Sequence, residues 1–146
     1  MTGTDQFDLE RFVRAQDEGG TYAAAIAELR RGRKTSHWMW FVLPQLAGLG
    51  VSPTARLYAV RSLAEARAYL QHPVLGRRLL ETADVVLTAP AASADALLGP
   101  VDAQKLRSSM TLFLRAAPGE SRFQAVLDRW FGGGADPATD RLLAEG

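Results

Sequence analysis

Apolar residues recur along this chain at three- and four-residue spacings, and almost nowhere in the strict alternation of a half-buried strand. "FDLERFVRAQDEG" carries Phe7, Phe12 and Val13 and stops at Gly19. "TYAAAIAELRRG" puts Tyr22, Ile26 and Leu29 on one stripe and ends at Gly32. In "SPTARLYAV" Ser52 has the place of an N-cap, with Pro53 at the first helical position. In "SLAEARAYL" Ser62 and Glu65 have capping-box spacing ahead of a stripe of Leu63, Ala66, Tyr69 and Leu70. Pro73 interrupts, and the pattern resumes through Leu75, Leu79, Ala83, Val86 and Leu87. "APAASADALLGP" reads as a loop with one short turn capped by Ser93. Asp102 is the expected cap of the next helix, whose stripe is Leu106, Met110, Phe113 and Leu114. Phe123, Val126, Leu127, Trp130 and Phe131 repeat that spacing, and Asp136 and Pro137 open a last short helix ending near Leu143.

One run breaks the pattern. "SHWMWFVLPQ" is apolar without a gap from Trp38 to Leu43. Six such residues suit a helix or a strand, and the helical neighbourhood favours a helix. Ser36 would cap it and Pro44 would end it. A helix apolar on every side belongs at the centre of the core. The pattern therefore predicts an all-α protein of about seven to nine short helices, with short connections favouring antiparallel neighbours. No repeat, linker or boundary divides residues 1–146, so one helical domain is expected, with its core spanning roughly residues 8–143.

Composition narrows the function classes. The net charge of +1 advertises neither generic nucleic-acid binding nor attraction to an anionic membrane. The absence of cysteine removes disulfides, thiolate chemistry and zinc–sulfur sites. With two histidines, His37 and His72, no metal site is expected, and no cofactor motif is present. "MTGTDQFDLERF" has neither a basic nor an apolar leader region, and no apolar run approaches the ~18 residues of a membrane span, so a cytoplasmic protein is expected. Beside fifteen arginines stand two lysines, Lys34 and Lys105. Either the split is chance, or each position needs a compact ammonium rather than a planar guanidinium.

Three stretches carry candidate chemistry. "RGRKTSHWMW" places Lys34, Ser36 and His37 before the expected helix start, where free N–H groups and the helix dipole favour an anion. On that helix His37 lies beside Trp40, while Trp38 points elsewhere. The tryptophans either fill core or line a pocket. "DAQKLRSSMTLF" puts Lys105 and Ser109 on one face with Ser108 alongside, suited to phosphate or carbonyl oxygen. The plain alternative is hydroxyls bonded back to the preceding turn and Lys105 in solvent. "YLQHPVLG" holds His72 extended before Pro73 at a helix junction, either as a cleft residue or as a cap. No P-loop, GxGxxG, HExxH or GxSxG motif is present.

"KTSHWMWFVLPQLAGLG", "SLAEARAYLQHPVLGRRLLE" and "DAQKLRSSMTLF", followed by "FQAVLDRWFGGGADPAT", resemble the bacterial domain-of-unknown-function 1810 family from Asp8 to about Leu143. The family's members have carried a "calpastatin" label; this chain has none of the disordered, repeated character of a calpain inhibitor. The order of a histidine–aromatic helix, a helix with "AYL" and "LGRRL", a lysine-bearing helix and an aromatic helix is also similar to the all-helical NADAR fold, whose members act on ADP-ribose derivatives. That resemblance transfers no catalytic residue.

These readings converge on one pocket for a phosphorylated aromatic small molecule, such as ADP-ribose or a nucleotide, free or attached to a macromolecule. Lys34, Ser36, Trp38, Trp40, His72, Lys105, Ser108 and Ser109 would line it. If the protein is a glycohydrolase, Asp102 would be the carboxylate near the ribose and His37 a proton relay. The alternative is a non-catalytic module that binds a nucleotide or a peptide in the same groove.

Overall fold

Serine caps begin three helices where the pattern places them. Ser52, Ser62 and Ser93 each accept a hydrogen bond from the backbone N–H three residues on. The computed structural model describes residues 5–145. Among these residues it holds ten α-helices, with a 3-10 turn after the first: α1 (Glu10–Asp17), α2 (Thr21–Arg30), α3 (Met39–Val42), α4 (Pro53–Leu57), α5 (Leu63–Gln71), α6 (Leu75–Leu87), α7 (Ala94–Leu98), α8 (Pro100–Ala116), α9 (Ser121–Phe131) and α10 (Pro137–Glu145). The strand-like content of the described residues is one isolated bridge between Leu46 and Val60. The fold is all-α. Among the described residues no helix is long and apolar enough to cross a membrane.

The core centres on α8 rather than on the Trp38–Leu43 run. α8 has 17 residues, so it is about 25 Å long and touches α5, α7, α9 and α10. It buries Leu106, Met110, Phe113 and Leu114 as expected, and also Ser108, Ser109, Thr111 and Leu112 from the side that looked polar. The apolar run instead forms the single turn α3, with Trp38 and Leu43 flanking it. Trp38, Met39, Val42 and Leu43 are buried, while Trp40 and Phe41 are half-buried. Ser36 caps nothing, because its hydroxyl and its N–H both turn to Glu28.

α8 also starts earlier than expected. Gly99, at φ 86° and ψ 154°, ends α7 and precedes Pro100, the first residue of α8. Asp102 thus sits inside the first turn, not at the cap, and its carboxylate is free for other partners. Elsewhere a buried pair ties the N-terminal helix to the middle of the chain. Arg11 Nη2 meets Glu65 Oε2 at 2.9 Å, and the same guanidinium donates to the carbonyls of Leu57 and Ala59. Glu65 Oε1 accepts from the Arg61 N–H, one residue ahead of the Ser62 cap. This pins the α4–α5 connection onto α1.

Candidate functional site

Glu28 organises the segment before α3. It lies on the buried face of α2 with Ala25, Ile26 and Leu29 and is 5% exposed. Its carboxylate accepts from the N–H groups of Thr35 and Ser36 at 2.7 and 3.0 Å, from the Ser36 hydroxyl, and from the Trp38 indole N–H at 3.0 Å. Burial pushes this carboxyl up. The hydrogen bonds outweigh burial and hold it down at about 2. Glu28 thus occupies the N–H groups of Thr35 and Ser36, just ahead of the expected anion site. Trp38 is 1% exposed and bonded to Glu28, so it is core and not a stacking surface.

The same loop delivers Lys34. Its N–H donates to the Leu97 carbonyl of α7 at 2.8 Å, and its ammonium lies 2.8 Å from Asp102 Oδ2. Lys105, one turn further along α8, lies 3.0 Å from Asp102 Oδ1. Each ammonium also rides on an indole: Lys34 is 5.2 Å from the Trp38 ring centre, and Lys105 is 4.1 Å from that of Trp40. The two lysines of the chain thus share one carboxylate, 68 and 3 residues away in sequence. Burial raises the Asp102 carboxyl, but the hydrogen bonds and charges of Lys34 and Lys105 dominate and hold it below the usual carboxylate range. Two ammoniums and one carboxylate leave a net positive centre. Both Asp102 oxygens are engaged, so its geometry is that of a lysine clamp.

Lys105 borders a pocket of about 360 Å3 together with Trp40, Gln45, Leu49, Ser108 and Asp136. Asp136 caps α10: Oδ2 accepts from the Thr139 N–H and hydroxyl at 3.2 and 2.6 Å and from the Ser108 hydroxyl at 2.8 Å. Oδ1 accepts from Gln104 at 3.2 Å. Burial raises this carboxyl too, and the donated hydrogen bonds bring it below its ordinary value. Ser108 also reaches the Gln104 carbonyl at 3.1 Å, the back-bonding of a helical serine. Ser109 is fully buried, its hydroxyl has no partner among the described residues, and it does not border this pocket.

The structure brings Lys34, Trp40, Asp102, Lys105 and Ser108 together and sets the histidines apart. His37 is exposed and does not line the pocket. His72 ends α5, and its ring serves the start of α6. Its Nδ1 accepts from the N–H groups of Val74 and Leu75 at 3.1 and 3.2 Å, and its Nε2 meets Glu10 at 2.8 Å. Three residues of the site escaped the sequence reading. Glu28 had a visible signal, an acid within an apolar stripe. Asp136 was read only as a helix start. Gln45 had none, since nothing local distinguishes a glutamine after Pro44.

The comparisons agree with the fold. The chain resembles the crystal structure of the conserved hypothetical protein Rv1873 from Mycobacterium tuberculosis, with 51% sequence identity and a TM-score of 0.92 over 96% of this chain and 99% of that one. No curated protein matches the chain. The model of a protein family of unknown function, DUF1810, matches residues 6–143, and the chain belongs to that family.

Proposed function

We propose that this protein binds a phosphorylated small molecule of the nucleotide or ADP-ribose class in the pocket beside Trp40 and Lys105. One observation carries the reading: the Lys105 ammonium is held at the pocket wall by Asp102 and by the Trp40 face. Of its three N–H donors, one serves Asp102 and one the indole, leaving the third for an anion. The ammonium covers that face of Trp40, so the ligand's apolar part packs against Leu49 and Val101 instead of stacking there. The volume falls within the ~300–1,000 Å3 of small-molecule sites.

Binding without turnover is the reading this geometry supports best. Glycosidic cleavage needs a carboxylate free to meet the ribose. Both Asp102 oxygens hold ammoniums, and every Asp136 oxygen accepts hydrogen bonds. The test is a thermal-shift series with ADP-ribose, nucleoside phosphates and unphosphorylated nucleosides. Ligand at 100 times its Kd adds about 2.7 kcal/mol to native stability. Lys105→Ala is expected to lose about 1.5–3 kcal/mol of binding, the worth of a charge-assisted hydrogen bond. Lys105→Arg is also expected to lose binding while keeping the fold, because a planar head cannot serve Asp102, Trp40 and a phosphate together. Equal shifts from nucleosides and their phosphates, or unaltered binding by Lys105→Ala, would overturn the proposal. Release of free base or ribose on incubation would restore the glycohydrolase reading.

A further inference from the structure

Gln104 stands one residue before Lys105 on α8 and borders the same pocket. The residue is exposed, yet one contact fixes where its amide lies: Nε2 donates to Asp136 Oδ1 at 3.2 Å. Asp136 borders the pocket too, and so does Ser108, whose hydroxyl donates to the other Asp136 oxygen at 2.8 Å. The Gln104 amide is therefore drawn against the pocket wall.

Asp136 also decides which way that amide faces. It is 3% exposed and has no ion-pair partner among the described residues, so only donated hydrogen bonds offset the burial of its charge. Burial raises its carboxyl, but the hydrogen bonds from Thr139 and Ser108 hold it below its ordinary value. At neutral pH it is ionised and can only accept. Gln104 must then turn its N–H2 toward Oδ1 and hold its carbonyl oxygen away from it. That oxygen, Oε1, accepts no hydrogen bond among the described residues. A free surface glutamine turns over to offer donor or acceptor; this one presents a fixed acceptor.

We infer that Gln104 reads a ribose hydroxyl of the phosphorylated ligand, its Oε1 accepting from the hydroxyl while Lys105 holds the phosphate. This role rests on the phosphate site proposed at Lys105 and adds a selectivity to it. Consecutive residues on a helix diverge by about 100°, so Gln104 and Lys105 meet neighbouring groups of one ligand, not its two ends. In a nucleotide the hydroxyls of the ribose are the donors nearest the phosphates, whereas the amino group of a base stands at the far end. Asp136 is a positioning residue that acts through Gln104.

The experiment measures by calorimetry the affinities of ADP, 2′-deoxy-ADP and 3′-deoxy-ADP for the parent and three variants. The parent is expected to bind ADP about three- to tenfold more tightly than at least one deoxynucleotide, the worth of one hydrogen bond. Gln104→Met keeps the length of the side chain and loses the acceptor. It is expected to bind ADP and the deoxynucleotides alike, with a melting temperature near the parent's because Asp136 keeps its Ser108 and Thr139 donors. Asp136→Asn lets the Gln104 amide turn over, so the same preference is expected to fall toward one, which loss of the α10 cap alone would not bring about. Lys105→Ala is expected to weaken all three nucleotides by a common factor and to keep their ratios within about twofold. Equal affinities in the parent, or a preference that survives in Gln104→Met, would overturn the role of Gln104 and leave the phosphate site standing. Failure of all three nucleotides to bind would also overturn it, and the proposed function falls with it if ADP-ribose gives no thermal shift either.

Discussion

Glu28→Gln removes the charge that holds the Thr35–Trp38 segment and keeps the side-chain shape. The carboxylate accepts from two backbone N–H groups, the Ser36 hydroxyl and the Trp38 indole. A glutamine there offers one acceptor oxygen and points its own N–H2 at donors. Burial raises the Glu28 carboxyl and the donors lower it more, from an ordinary value of 4.5 to about 2. At about 1.4 kcal/mol per unit, the charged form is worth about 3 kcal/mol to the fold at neutral pH. The folded value is the depressed one, so this stability is present above pH 4.5 and is lost as pH falls toward 2. By the same linkage less than half of this contribution remains at pH 3. The assay is urea unfolding of parent and variant at several pH values from 7 to 3. The other carboxylates titrate in both proteins and cancel in the difference. The difference is expected to start near 3 kcal/mol, on the order of 10 °C in melting temperature, and to narrow by about 2 kcal/mol toward pH 3. A difference below about 0.5 kcal/mol, or one that does not change across this range, would refute the assignment of Glu28 as the anchor of the segment.

Arg11→Met leaves Glu65 buried without its cation and frees two carbonyls of the α4–α5 connection; a loss of about 3–5 kcal/mol in urea unfolding is expected, and a loss under about 1 kcal/mol would contradict it. Gly50→Ala forces a Cβ against Ala55 and Trp40, so a loss of about 1–3 kcal/mol with an altered near-UV tryptophan spectrum is expected. Asp102→Asn frees both lysines from their shared carboxylate; melting temperature should fall, and a phosphorylated ligand should bind more tightly at low salt because the centre gains a positive charge. Weaker binding by that variant would show that the carboxylate itself contacts the ligand.

Much of what rests on residues within one helical turn of each other was legible in the sequence, although Ser36 caps nothing and Asp102 lies inside its helix. Ser52, Ser62 and Ser93 cap their helices because the hydroxyl and the N–H it serves are three residues apart. Pro73 separates α5 from α6 because it forbids the preceding residue a helical conformation, and the stripes of α6 and α9 fall on the buried face because helical period alone decides which residues share a side. The family could be read from four segments in order. The site could be read only in part, since Lys105 and Asp102 are neighbours on α8. Contacts between distant segments were decided by tertiary structure. Lys34 reaches Asp102 across 68 positions, Glu28 draws the Ser36 hydroxyl away from the expected cap, and Gly99 moves the start of α8 so that Asp102 clamps lysines instead of capping a helix. Gln45 carries no local pattern at all; it borders the Lys105 pocket because the core brings its segment beside α8. Propensity and period act along the chain, whereas the partners of a buried charge are chosen by which segments the core brings together.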